Sequence, residues 1–392
     1  MKKYASIIAI IITMIVSAGC TSNLSRSLPL NLSGDYYNYI QPSFDLYLEE
    51  TENWLRHNRD FITSNHSKEL AMNMPFELTP DQPTNKAVLF VHGLGDSPYS
   101  FSDLANTMAE QGFYVQTLLL PGHGSKPQDM MLPSYQDWQI TVDHYANQLK
   151  QEYDEVWLGG FSTGANLVTI HALDQGDIDG LLLFSPGFQT QTPYLEKLTP
   201  LVAAFWDGYQ AAENNLARYN SAPLNGAIAY SDSATALRDK LTLHTLTIPT
   251  LIAVSEADSI IDPDVVRNLF ETRFKHASNQ LIWYGESKQP NHRIVQKTMH
   301  LEQFKISTGS HMSPIFAPSN PYYGDKAEKI MCENSFSSDD TNRCNNGEPV
   351  WFSAWGYKER GKIHARLTWN PYYSELENNI SQLVQTSASK EG

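Results

Sequence analysis

A serine held between two glycines, Gly160-Phe161-Ser162-Thr163-Gly164, is the pattern in this chain best suited to covalent chemistry. It follows an apolar run, Glu155-Val156-Trp157-Leu158-Gly159, and leads into a helix-like run over 165–171. In a strand–turn–helix context, small residues on either side let the chain reverse without a Cβ clash and push the hydroxyl out above the sheet edge. Without that context the pentapeptide is a weak signal, because short Gly/Ser patterns recur by chance. A serine hydroxyl is a poor nucleophile alone. It needs a base to take its proton, an acid to orient that base, and donors for the developing oxyanion.

An acid is available after Thr250-Leu251-Ile252-Ala253-Val254, a continuous apolar run that reads as a buried parallel strand. Open α/β sheets place their sites beyond the carboxyl ends of such strands. Asp258 is the candidate there, with Glu256 and Asp262 as local competitors. Asp262 precedes Pro263 and reads more simply as a helix N-cap. The base has to be chosen from twelve histidines. The segment 301–307 reads as a final strand, and Thr308-Gly309-Ser310-His311-Met312 is the loop after it, so His311 is placed to swing over Ser162. His300 would lie at the wrong edge of the sheet, and His292 sits in a polar stretch with no strand to position it. The oxyanion donors are expected to be two backbone amides. One belongs to Thr163; the other belongs to Leu94, in the Gly-rich turn that ends an apolar strand over 87–91.

The elements that must hold these residues alternate along the chain. Strand-like segments lie near 87–91, 114–119, 155–158, 181–184, 251–254 and 301–306, with helix-like segments at 99–111, 136–153, 164–174 and 263–273. Such alternation means a doubly wound, mainly parallel sheet. Ahead of it, 44–58 carries Phe44, Leu46, Leu48, Trp54 and Leu55 between charged residues and reads as an amphipathic helix; 74–78 reads as an edge strand. Helix-like sequence then fills 187–248, where Tyr194, Leu198, Leu201, Phe205, Trp206 and Tyr209 suit one helix face. About half of such a face packs on the core, and the rest is expected to line an apolar pocket.

Three motifs together, Phe90-Val91-His92-Gly93-Leu94-Gly95-Asp96-Ser97-Pro98, Leu120-Pro121-Gly122-His123-Gly124 and Gly160-Phe161-Ser162-Thr163-Gly164, carry a family likeness. They resemble the monoacylglycerol lipase and carboxylesterase branch of the α/β-hydrolase superfamily, which is similar in its core motifs to the serine aminopeptidases. The resemblance runs from about 87 to 311 and implies an α/β-hydrolase fold. Core segments 35–188 and 249–392 would then flank a helical cap at 189–248. It implies a triad of Ser162, Asp258 and His311 and ester hydrolysis through an acyl-enzyme, without a cofactor. Short- or medium-chain esters or monoglycerides are the implied substrates. This chain departs from the family pattern in a longer segment at 285–300 and in a tail, 315–392, that extends beyond the usual closing helix.

Two other readings stay open. A peptidase or amidase would use the same triad, and an acidic cluster binding a substrate amine would favour it; Glu196, Asp207 and Glu213 are the candidates. A non-catalytic scaffold is the other, since a fold alone never proves activity. The aromatic tail, with Trp351, Trp355, Tyr357, Trp369, Tyr372 and Tyr373, could bind a partner or a sugar, but packing on the core is the commoner use of such residues.

The N-terminal sequence bears on location. Lys2 and Lys3 precede an apolar run over 7–16 and then Ser17-Ala18-Gly19-Cys20. The run is short for a bilayer span. The arrangement resembles a bacterial lipoprotein signal over 1–19, cleaved before Cys20 and lipidated on its thiol, with 20–34 as a polar tether. Thr21 in place of Asp resembles outer-membrane sorting, which implies an exported protein, periplasmic or surface-facing, with the membrane as partner through its lipid anchor. Cys332 and Cys344 are then the remaining cysteines, expected to pair within a loop at 320–350. Closing that loop would stabilise by about 3 kcal/mol on a chain-entropy argument. The polar run 337–342 lacks the spaced acids and glycine of a calcium loop, so no metal site is expected. A formal charge of −15, more negative still without Lys2 and Lys3, argues against a nucleic-acid partner. With 392 residues, 41% of them hydrophobic, the chain can build one large α/β domain plus a cap.

Overall fold

The computed structural model describes residue 33 and residues 38–388, apart from 197, 289 and 336. The expected signal segment and nearly all of the tether, Cys20 included, lie outside the described residues. The centre is an eight-stranded sheet: β1 (Glu77–Leu78), β2 (Lys86–Val91), β3 (Tyr114–Leu118), β4 (Glu155–Phe161), β5 (Gly180–Phe184), β6 (Thr250–Ser255), β7 (Gln280–Tyr284) and β8 (Ile294–Lys297). Their spatial order is β1-β3-β2-β4-β5-β6-β7-β8. Every pairing is parallel except that of β1 with β3.

Both faces of the sheet are covered, which is why its central strands read as unbroken apolar runs. Along β2, Ala87, Leu89 and Val91 join one core and Val88 and Phe90 the other, as the two-residue period of a strand requires. The first core is closed by α1 (Phe44–Asn58), α3 (Tyr135–Glu152), α4 (Thr163–Gln175), α5 (Leu224–Leu243) and α6 (Pro263–Arg273), the second by α2 (Ser102–Glu110) and α7 (Tyr373–Ala388). In α1 the buried residues are Phe44, Tyr47, Thr51 and Leu55, so the inward face follows the 3.6-residue period and Leu46 points outward. A reciprocal capping box between Ser134 and Asp137 starts α3.

Between β5 and β6 the chain forms two short helices, Pro193–Glu196 and Thr199–Ala203, then a ribbon pairing Gly208–Tyr209 with Ala222–Pro223, then α5. This insertion is only partly helical, and its long helix packs against α4.

The end of the sheet differs from the sequence expectation. Residues 301–306 form no strand of the sheet. Lys305 adopts a left-handed backbone (φ 52°), a short 3₁₀ turn forms at Glu302–Phe304, and Leu301 pairs back onto Ile306. The closing strands are β7 and β8 instead. The C-terminal segment then builds its own small sheet, pairing Trp351–Ser353 with His364–Arg366 in parallel. It is joined to the 305–307 segment by Phe352 N–H to Lys305 O at 2.7 Å and Ser307 N–H to Phe352 O at 2.8 Å. Cys332 and Cys344 form a disulfide with Cα atoms 5.6 Å apart. With Val350, Ile363 and Ala365 they make a satellite core beneath that small sheet, while Trp369 and Tyr373 pack into the second main core.

Candidate active site

Ser162 is the turn residue between β4 and α4, with φ 53° and ψ −113°. A non-glycine residue holds such a conformation only where its surroundings enforce it. The flanking glycines allow those surroundings. A Cβ on Gly160 would strike the backbone of Ala165, and one on Gly164 would strike the carbonyl oxygen of Val91. Strand and helix therefore meet in direct backbone contact, and the serine side chain is lifted from the sheet. Ser162 N–H donates to Phe184 O at 3.0 Å, and Ser162 O accepts from Gly187 N–H at 3.0 Å, fixing the turn to the end of β5.

Three sequence candidates come together here. His311 Nε2 lies 3.0 Å from Ser162 Oγ, and His311 Nδ1 lies 2.7 Å from Asp258 Oδ2. Asp258, just past β6, is 2% exposed, so its charge needs several partners. Its second oxygen accepts from the amides of Ile260 at 2.8 Å and Ile261 at 3.1 Å. No strand of the sheet runs directly into the His311 loop. It is held instead by Ser185 Oγ–H to His311 O at 2.7 Å, and by Ser310 Oγ–H to Leu367 O from the C-terminal segment.

The competing candidates do other work. Burial alone would raise the Glu256 carboxyl, but hydrogen bonds from Ser287 and from the backbone of Glu286 hold it below the usual value, tying down the loop after β7. Asp262 caps α6 by accepting from the amides of Asp264 and Val265. His300 and His292 are exposed, and neither lines the cavity at Ser162.

Thr163 opens α4, so its amide belongs to the donors that a helix start leaves free. Leu94 follows β2 in the loop facing the serine. Among the described residues neither amide meets a protein acceptor. The next amide in that loop, Gly95, donates to His123 Nε2 at 3.0 Å, while Gly95 O accepts from Tyr219 N–H at 2.8 Å. His123 in turn points Nδ1 at Leu120 O, 3.1 Å away. His92 accepts from Leu120 N–H at 3.1 Å. Burial lowers His123 to about 4; burial and then the neighbouring His123 push His92 well below its usual value, so both are neutral acceptors. Sequence reading assigns these two histidines no role, although both stand in the motifs that it singles out.

A cavity of about 340 Å³ opens onto Ser162 and His311. Leu94, Met130, Pro223, Tyr230, Met312 and Trp355 supply apolar wall, and Asp96, Arg218 and Arg366 supply charge. The aromatic stripe of the insertion is elsewhere. Tyr194, Leu198, Leu201, Phe205 and Tyr209 are exposed, and none of them lines the cavity. Two separate short helices cannot present the single face that the spacing implied. It is α5 that reaches the cavity, through Ala227 and Tyr230. The acidic candidates contribute nothing there either: Glu213 accepts from the amides of Asn220 and Ser221, Asp207 does not line the cavity, and the side chain of Glu196 lies outside what is described.

A family model described as serine aminopeptidase, S33, matches residues 82–234. That span contains the parallel strands β2 to β5 and the strained serine turn. The chain has the α/β-hydrolase fold. The family match ends inside α5, so Asp258, His311 and the C-terminal segment of this hydrolase fold lie beyond it. A thermostable monoacylglycerol lipase from Bacillus sp. (strain H-257) is 27% identical over 196 residues, covering 47% of this chain and 75% of that protein. Among solved structures, the monoacylglycerol lipase of Paleococcus ferrophilus is 20% identical with a TM-score of 0.45, over 54% of this chain and 87% of that one. A metagenome-derived lipolytic enzyme is also 20% identical, with a TM-score of 0.48 over 54% and 86%.

Proposed function

We propose that the protein is a serine carboxylic ester hydrolase, with Ser162 as nucleophile, His311 as general base and Asp258 as the acid that orients it. The observation that carries this reading is the unbroken line from Ser162 Oγ through both nitrogens of His311 to Asp258, at 3.0 and 2.7 Å, beside a cavity. His311 takes the Ser162 proton as Oγ attacks the ester carbonyl, and Asp258 stabilises the imidazolium. Amides of Leu94 and Thr163 receive the oxyanion, and one such donor lowers the barrier by about 3 kcal/mol. The alcohol leaves with the proton from His311. Water, deprotonated by the same imidazole, then cleaves the acyl-enzyme. Each step uses only groups of the chain, substrate and water.

The relative named as a monoacylglycerol lipase supports an ester or acylglycerol as substrate. A cavity near the small end of the range for ligand sites supports a short or medium acyl chain. The aminopeptidase reading is less well supported. An amine-terminal substrate needs acids around its ammonium, whereas this cavity carries two arginines and one aspartate. The scaffold reading leaves the strained serine and its aligned partners without purpose.

The test is hydrolysis of p-nitrophenyl esters from acetate to palmitate by the chain from residue 21 onward. Ser162→Ala, His311→Ala and His300→Ala are run alongside. A rate peaking at short or medium chains, and lost about 10⁴-fold or more in the first two variants only, is the expected result. Release that survives Ser162→Ala, or that depends on His300 and not His311, would overturn the reading. We propose too that the protein is an outer-membrane lipoprotein held by acyl chains on Cys20, on the strength of residues 1–21. Labelled palmitate that enters the Cys20→Ala chain as readily as the native one would dismiss that anchor.

A further inference from the structure

The cavity beside Ser162 holds an excess of positive charge. Arg218 comes from the insertion and Arg366 from the C-terminal segment, and among the described residues Asp96 is the only acid on the wall they share. Asp96 is buried and already engaged, with Arg218 Nε 3.6 Å from its Oδ1. Arg218 also reaches Met312 Sδ at 3.1 Å. Arg366 has much less. A guanidinium carries five N–H donors. Here Nη2 approaches Glu333 O at a long 3.4 Å, and Nε is buried with no acceptor. Glu333 is the other carboxylate acting on it, but that side chain is exposed and bonded to Asn214, so solvent screens it.

Two guanidiniums this close oppose one another. Burial first, and then the charge of Arg218, bring Arg366 down to about 10, still protonated at neutral pH. Burial likewise raises Asp96, while Arg218, His311 and Arg366 pull it back down. A half-buried cation whose Nε is shut away from water without an acceptor is costly unless an anion completes it. Nor is the position of Arg366 an accident of a loose loop. Its amide donates to Met331 O at 3.0 Å, its strand pairs with Trp351–Ser353, and the disulfide core of Cys332 and Cys344 lies beneath. Much of the chain beyond residue 315 thus holds one guanidinium in the wall of the cavity that contains Ser162.

We infer that Arg366, with Arg218 beside it, forms a subsite for an anionic group on the substrate, a carboxylate or a phosphate monoester carried on the acyl or the alcohol part of the ester. Arginine's planar fork matches both groups through paired, charge-assisted hydrogen bonds. The inference rests on the ester-hydrolase reading for which bond is cleaved, but not for the binding itself.

The test uses two matched pairs: p-nitrophenyl butyrate against mono-p-nitrophenyl glutarate, and 1-butyrylglycerol against 1-butyrylglycerol 3-phosphate. The quantity read is the ratio of kcat/KM within a pair, for the native chain, Arg366→Met and Arg218→Met. A ratio within one preparation does not depend on how much of it is folded. The anionic member of at least one pair is expected to be favoured about tenfold or more, and Arg366→Met to remove that preference. The pair that responds separates an acyl carboxylate from a phosphorylated alcohol. Equal rates within both pairs, or a preference that survives both variants, overturn the subsite. Calorimetric titration of Ser162→Ala with glutarate and with glycerol 3-phosphate tests binding without turnover. Saturable binding that is lost when Arg366→Met is added supports the subsite even if no ester is cleaved; no binding of either probe, alongside Ser162-dependent cleavage of neutral esters, removes it and leaves the hydrolase reading intact.

Discussion

His123 Nε2 accepts a hydrogen bond from the Gly95 amide at 3.0 Å, and so the turn at 120–124 holds the loop that carries the Leu94 amide. For Nε2 to accept, the ring proton must sit on Nδ1, where Leu120 O receives it at 3.1 Å. Burial lowers the imidazole to about 4, so this arrangement persists through neutral and mildly acidic solution. The unfolded chain takes up the proton nearer 6.5, before the folded one does. Stability therefore falls as pH drops from about 6.5 towards 4. His123→Ala is expected to lower kcat for ester hydrolysis by about 10- to 100-fold, because a small displacement of a donor costs that much, with KM little changed. It should also flatten part of the acid loss of stability. Steady-state kinetics, with denaturant unfolding at about pH 7 and pH 5, check both effects. A merely structural histidine would leave kcat per folded molecule unaltered.

Asp258 and Glu256 leave the end of β6 two residues apart, yet they face different partners. Asp258 meets His311, whereas Glu256 meets the amides of Glu286 and Ser287. Asp258→Asn keeps the shape but favours the wrong imidazole tautomer, so turnover should fall about 10⁴-fold with the fold intact. Glu256→Gln should leave turnover near native and lower Tm by a few degrees as the 285–287 loop loosens, roughly the effect of 1 kcal/mol in a domain of this size. Turnover and melting measured on both variants decide the matter. Equal losses of turnover would put the acid assignment in error.

The difference between what is legible in the sequence and what is not follows the range of the forces involved. Ser162 can be read because its geometry depends on neighbours in the chain: β4 before it, α4 after it, and Gly160 and Gly164 where any Cβ would collide. Asp258 is legible for a similar reason, as the acid beyond an unmistakable buried strand. His311 is selected as the candidate from a different premise, since 301–306 has a strand's composition but Lys305 turns it back on itself. Its real support comes from Ser185 and Leu367, residues far away in the chain. β7 and β8 are short, and β8 ends in Gln296 and Lys297, so it is docking, of β7 against β6 and of β8 against β7, that makes them strands. Arg366 is the furthest from legibility, because a disulfide, a satellite core and a small parallel sheet together bring it to the cavity.

Arg59 and Glu69 form an ion pair at 3.1 Å with side chains almost wholly buried, and it joins three segments that border the site. Arg59 also donates to Gly124 O, beside His123, and to Leu216 O, two residues before Arg218. Glu69 accepts from the amides of Ile62 and Thr63 and from Thr63 Oγ–H. Burial alone would raise its carboxyl. The hydrogen bonds from Ile62 and Thr63, and then Arg59, more than reverse that, so the group sits below its usual value of 4.5. As pH falls, the unfolded chain binds this proton before the folded chain does. The stabilisation is therefore complete above about 4.5 and is lost as pH drops through the lower, native value. Glu69→Gln keeps the shape but removes the charge, leaving Arg59 buried without its counter-ion, which typically costs about 3–5 kcal/mol. Denaturant unfolding should show that gap between native and variant at about pH 7, and show it narrowing below about pH 4 as the native carboxylate itself becomes neutral. A gap of constant size across that interval would mean that the hydrogen-bond geometry, rather than the charge on Glu69, holds the three segments together.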